Sequence, residues 1–153
     1  MVHIYIDADA CPVREECYKV ARRHQVPVTV VSNSFLRVPR EPGFKFASVS
    51  DDFDAADDYI AERAEANAII ITSDILLAER CLKSGAQVLA PNGKPFTMDT
   101  IGGQLATRAI LADLRAGAEM PTLGGPPPFT DRDRSRFLET LHLWLTKLSS
   151  ADN

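Results

Sequence analysis

The chain has 153 residues, a formal net charge of −4 and a pI near 5.3, with 45% apolar and 25% charged residues. This is the profile of one soluble globular domain with enough chain to bury a core. No global basic field advertises nucleic-acid binding, so any such contact must come from Lys and Arg concentrated on one face.

Three cysteines, Cys11, Cys17 and Cys81, form neither a CxxC pair nor a zinc spacing and read as reduced core thiols. Cys11 stands apart because it precedes an expected helix start, where a thiolate is favoured. The N-terminus lacks a basic segment followed by an apolar signal core, and no apolar run approaches the roughly 20 residues of a membrane span. A cytoplasmic protein with no membrane contact is expected.

The first strand is expected over residues 2–7, a short apolar run that stops at Asp7 and Asp9. Pro12 suits the first turn of the helix expected to follow, to about His24, with Val13, Cys17, Val20 and Ala21 as its buried stripe. Pro27 to Val31 reads as a second strand ending in Ser32-Asn33-Ser34. Phe35 to Gly43, with its prolines and arginines, reads as a loop, and Phe44 to Val49 as a third strand.

A helix from about Asp54 to Asn67 then leads into Ala68 to Ser73, a continuously apolar run typical of a central parallel strand. Asp74 ends it. The next helix runs to about Ser84, offers Ile75, Leu76, Ala78 and Leu82 for packing, and is capped by Gly85. Gln87 to Ala90 is a further strand and Pro91-Asn92-Gly93 a turn. Two helices close the chain, about Thr100 to Ala116 and Asp131 to Leu148. The second carries an apolar face of Phe137, Leu141, Trp144, Leu145 and Leu148. Thr130 and Asp133 stand in the relation of a capping box. Residues 118–130, rich in Gly and Pro, read as an ordered strap anchored by Leu123 and Phe129. The alternation predicts a single domain over 1–153, an α/β fold in three layers: an open, mostly parallel sheet with C-terminal helices.

This order places acids at one edge. Asp7 ends the first strand, Asp74 ends the apolar one, and Asp51 to Asp58 enter the helix between them. Asp54 shares a helix face with Asp57 or Asp58. Clustered carboxylates repel, and need protons or a cation. Oxygen ligands without His or Cys suit Mg²⁺ or Mn²⁺, and such a site serves phosphoryl transfer. Each acid also has a plainer use: Asp9 and Asp74 as helix caps, the acidic run as a dipole-favoured helix start.

The stretch from Asp57 through Ile60, Ala61 and Ala64 to Ile71-Thr72-Ser73-Asp74 resembles the acidic core of PIN-like nuclease domains. The helical acid falls one residue short of that pattern, so Asp58 can take the place of Asp57. The whole chain resembles the uncharacterised bacterial YaiI/YqxD family through IDADACPV (6–13), VSNS (31–34), ITSDILLAERCL (71–82), IGGQLA (101–106) and GPPPFTDRDRSRF (125–137). The resemblance implies a PIN-like fold and metal-assisted hydrolysis of RNA. Asp7, Asp57 and Asp74 would be catalytic and, with Asp58, would hold Mg²⁺ or Mn²⁺. Asp9 and Asp54 are further ligand candidates. Ser32, Ser73 and Arg108 would contact the substrate phosphate, with Arg132, Arg134 and Arg136 as further candidates. Gly102 and Gly103 would admit a close backbone or a tightly packed helix. RNA is the expected partner, and a homodimer is compatible with the sequence.

Two rival readings remain open at this stage. Asp7-Ala8-Asp9 also has the D-x-D form of a haloacid-dehalogenase-like phosphatase, with Asp7 as nucleophile. A PIN-like domain can also bind without catalysis.

Overall fold

The computed structural model describes residues 1–9, 11–52, 54–117 and 128–151. In chain order the elements are β1 (His3–Asp7), α1 (Arg14–His24), β2 (Val28–Ser32), β3 (Phe44–Ser48), α2 (Ala55–Arg63), β4 (Ala68–Ile71), α3 (Ile75–Lys83), β5 (Gln87–Leu89), β6 (Pro95–Phe96), α4 (Met98–Gly117) and α5 (Asp131–Ala151). The six strands form one sheet in the order β3-β2-β1-β4-β5-β6, parallel except for the β5–β6 pair.

The period of a strand sorts each side chain to one of two cores. Ile4, Ile6, Val28, Val30, Ile69 and Ile71 face the core shared with α1 and α5. Val31, Ile70 and Val88 face the core shared with α2, α3 and the start of α4. The result is three layers, as a sheet whose central strands are apolar on both faces requires. The stripe expected on α1 is buried at all four positions, and Phe137, Leu141 and Leu145 of α5 are buried against it. The capping box at the start of α5 is reciprocal: Thr130 N–H donates to Asp133 Oδ2 at 3.0 Å and Asp133 N–H to Thr130 Oγ1 at 3.2 Å.

Several local expectations are corrected. α1 starts at Arg14 rather than Pro12, with Val13 as its cap residue. α2 stops at Arg63, where Ala64 turns extended. Leu76 is exposed and Leu77 takes the buried place, because the buried face of α3 is formed by Leu77, Ala78 and Cys81. β6 was not expected: Pro95 and Phe96 are too few residues to show a period. Gly102 and Gly103 have nothing within 4 Å of where a Cβ would stand, so neither admits a close neighbour. Of the expected strap, residues 118–127, including Leu123, lie outside the described residues. Phe129 packs against the α1/α5 core. No helix among the described residues is long and apolar enough to cross a membrane.

The turn before β6 is locked beneath α5. Thr140 Oγ1 donates to the carbonyl of Gly93 at 3.2 Å, and Arg136 donates to the carbonyl of Asn92 at 3.3 Å. Gly93 has φ +85°, and an added Cβ would lie 2.5 Å from the backbone of Arg136 and Phe137. Gly93→Ala is therefore expected to lower the unfolding free energy by more than about 1 kcal/mol, read as a fall in Tm. Gly102→Ala, helical and in open space, should leave Tm unchanged or raise it slightly.

Candidate active site

The carboxyl ends of β1, β2 and β4 share one edge of the sheet, because the three strands are adjacent and parallel. Asp7 is the last residue of β1. Thr72 follows β4, is buried, and donates its hydroxyl to Asp7 Oδ2 at 2.8 Å. Thr72 Oγ1 in turn accepts the backbone N–H of Asp74 at 3.0 Å. One hydroxyl thus ties the two acids of β1 and β4 together. Thr72 was not among the residues singled out from the sequence. The signal was the "TxD" pattern itself, in which a threonine two residues before the acid can reach back across the strand end.

Asp74 also caps α3: its Oδ1 accepts the backbone N–H groups of Leu76 at 2.9 Å and Leu77 at 3.2 Å. The cap fixes the carboxylate, and Oδ2 accepts no hydrogen bond among the described residues. Asp57, in the first turn of α2, feels the charges of Asp74 and Asp7, while Asp58 pairs with Arg80 at 2.9 Å. The pairing leaves Asp57 as the helical acid whose charge meets Asp7 and Asp74.

The electrostatics follow. Burial raises the Asp7 carboxyl above its ordinary value; the Thr72 hydroxyl opposes this, and the charges of Asp9 and Asp74 add to it. Burial, then Asp74, Asp7 and Asp54 in turn, push Asp57 up to about 6, with Arg80 opposing. Four carboxylates are therefore within electrostatic reach of Asp57 or Asp7. That reach is longer than a metal bond: among the described residues, no group of three Asp, Glu, His or Cys side chains is placed to hold a metal ion.

The remaining candidates separate by what they touch. Asp9 accepts the Ser32 hydroxyl at 3.3 Å, and Ser32, fully buried, also accepts the backbone N–H of Ser34 at 3.1 Å. Ser73 is exposed and opens onto a cleft of about 580 Å³ lined by Asn92, Lys94, Phe96, Gln104 and Phe129. Arg108 lies on α4, with its side chain outside the described residues. Arg134 is committed to Glu16 at 2.6 Å and the carbonyl of Pro12, and Arg136 to Asp133 and Asn92. These two hold α5 to the body, whereas Arg132 is exposed.

Cys11 departs from expectation. Burial pushes its thiol up to about 11, against the pull of the Val13 backbone N–H and Arg14. The helix starts three residues later, at Arg14, and burial outweighs the effect of its end on the thiol.

The family model described as "Uncharacterized BCR, YaiI/YqxD family" matches residues 5–147. A UPF0178 protein of Sphingopyxis alaskensis is 61% identical over 145 residues, covering 95% of this chain and 94% of the relative. Another, of Bradyrhizobium diazoefficiens, is 52% identical over 145 residues, covering 95% and 86%. A third, of Rhodopseudomonas palustris (strain HaA2), is 51% identical over 146 residues, covering 95% and 88%. No solved structure matches the chain. With a match running through both ends of the sheet and into α5, the chain belongs to the uncharacterised bacterial YaiI/YqxD family.

Proposed function

We propose that the protein is a divalent-metal-dependent hydrolase of RNA phosphodiesters on a PIN-like plan. The observation that carries this reading is the acidic edge: Asp7 and Asp74 joined through Thr72, with the charge of Asp57 against both. Carboxylates held in mutual repulsion are stabilised by a proton or by a hard cation. The donor set is all oxygen, which suits Mg²⁺ or Mn²⁺. Such a cation would supply charge neutralisation at the phosphate and activation of water.

The chain's own residues have distinct tasks in this reading. Thr72 orients Asp7. The α3 cap holds Asp74 by one oxygen and presents the other. Asp57 would be a ligand of the cation once deprotonated. Asp9, held by Ser32, stands beside Asp7 as an outer acid. Among the described residues no three carboxylates are placed to share an ion, so Asp7, Asp57 and Asp74 would have to draw together to hold one. Ser73 and the cleft beyond it offer room for the flanking nucleoside.

The phosphatase alternative, with Asp7 as nucleophile, is less well supported. Asp7 Oδ2 is occupied by Thr72, and only six residues separate β1 from α1. A phosphoenzyme trapped on Asp7 by acid quench would reinstate it. A non-catalytic binding role would be reinstated by Mn²⁺ binding without hydrolysis of any single-stranded RNA.

Asp7→Asn, Asp57→Asn and Asp74→Asn are each expected to reduce Mn²⁺-dependent cleavage of a labelled RNA by more than about 100-fold, and Thr72→Val by about 10–100-fold. Asp58→Asn, which removes only the Arg80 pair, should retain wild-type cleavage. Equal loss in Asp58→Asn and Asp57→Asn would sink the assignment of Asp57.

The raised Asp57 sets a pH dependence. Between its ordinary value of 3.8 and about 6 the folded chain binds more protons than the unfolded chain. The stability from this group is therefore present at low pH and lost as pH rises through about 6. Without added metal, Asp57→Asn should flatten that part of the stability profile in denaturant titrations. Mn²⁺ affinity, measured by calorimetry, should weaken as pH falls through about 6, because a proton then competes for the same carboxylate.

A further inference from the structure

The loop between β2 and β3 carries a feature that the acidic edge does not explain. Phe35 is 83% exposed, an unfavourable place for a large apolar ring. Its neighbours are anchored: Leu36 and Val38 pack against the α1/α5 core. The chain alternates there, so Phe35 and Arg37 are displayed outward while Leu36 and Val38 hold the segment down. The ring of Phe35 meets Phe46 of β3 in a tilted edge contact at 5.9 Å, which leaves its remaining surface open.

The loop is tied to the acidic edge. Ser32 Oγ donates to Asp9 and accepts the N–H of Ser34, the residue before Phe35. The loop is also cationic. Its carboxylate, Glu41, is consumed by Arg22 at 2.9 Å. Arg37 and Arg40 are exposed, have no ion pair among the described residues, and line an open cleft of about 620 Å³ with Arg22, Tyr18, Glu15 and Glu41, the last paired with Arg22. An exposed aromatic ring on a segment that also displays Arg37 two residues on, with Arg40 further along the same loop, is complementary to an unpaired base and its phosphates.

We infer that Phe35 is a base-stacking platform, with Arg37 and Arg40 as phosphate contacts, and that it selects single-stranded over double-stranded RNA at the neighbouring acidic edge. The selectivity follows from geometry: a base in a duplex has both faces covered by its neighbours, so only an unstacked base can meet the ring. The inference rests on the hydrolase reading only in taking the substrate to be a nucleic-acid strand. A protein partner is disfavoured because the exposed apolar surface of this loop is a single ring rather than a continuous patch.

The test is binding without catalysis. Fluorescence anisotropy with a labelled ten-nucleotide oligouridylate is measured in EDTA, against an RNA duplex of equal length. Wild type is expected to prefer the single strand. Phe35→Ala should weaken single-strand binding at least about fivefold, and Phe35→Trp should retain it. The new indole should be quenched on binding, with wild-type protein, whose only tryptophan is Trp144, as the baseline. Arg37→Ala with Arg40→Ala should lower the slope of log affinity against log salt by about one unit. Unchanged affinity in Phe35→Ala, equal binding of duplex, or an effect of Phe35→Ala confined to self-association in sedimentation would each overturn the platform. The two readings fail separately. Binding through Phe35 with no Mn²⁺-dependent cleavage by wild type keeps the platform and removes the hydrolase. Cleavage with unchanged affinity in Phe35→Ala does the reverse.

Discussion

The hydroxyl of Thr72 joins the two halves of the site. It donates to Asp7 on one strand and accepts from the backbone of Asp74 after the next. The hydrogen bond stabilises a carboxylate that burial and two neighbouring acids destabilise. Without it, Asp7 would gain a proton more readily or turn toward water. The arrangement depends on β1 and β4 being adjacent and parallel, which brings Ile6 opposite Ile71 and so sets Asp7 beside Thr72. The apolar faces of those strands create the sheet, and the sheet creates the acidic edge.

The acids do not share one role. Asp74 serves the fold and the edge at once: one oxygen caps α3 and the other remains to act. Asp58 is withdrawn by Arg80, which leaves Asp57 as the acid that feels both strand ends. Asp9 is held apart by Ser32. Arg134 and Arg136, which by residue type alone are phosphate binders, instead fasten α5 to α1 and to the turn before β6. Arg37 and Arg40, which have no ion pair among the described residues, lie on the β2–β3 loop, and the same loop carries the exposed Phe35.

Much of the fold was legible because its signals are periodic or strongly punctuated. Ala68 to Ile71 is apolar at every position, as burial on both faces demands, and the stripe on α1 repeats at helical spacing. Thr130 and Asp133 announced the start of α5 by their spacing. What escaped was short or set by competition: β6 has two residues, and the choice between Leu76 and Leu77 turns on the angle at which α3 meets the sheet. The helix-end effect considered for Cys11 does not prevail, because the helix begins two residues later than Pro12 alone implies and burial raises the thiol.

For the site, the sequence by itself determined which residues are acids and that three of them fall at strand ends or a helix start. Residue type and local spacing are enough for that. Only the tertiary structure decided which acids feel one another's charge. The choice between Asp57 and Asp58 depends on the reach of Arg80 from another helix, 22 residues away. The link from Asp7 to Thr72 spans 65 residues, and no local pattern encodes a contact at that distance. The exposure of Phe35 was equally hidden, since an aromatic residue in a loop reads as an anchor until its neighbours, Leu36 and Val38, are seen to have taken the buried places.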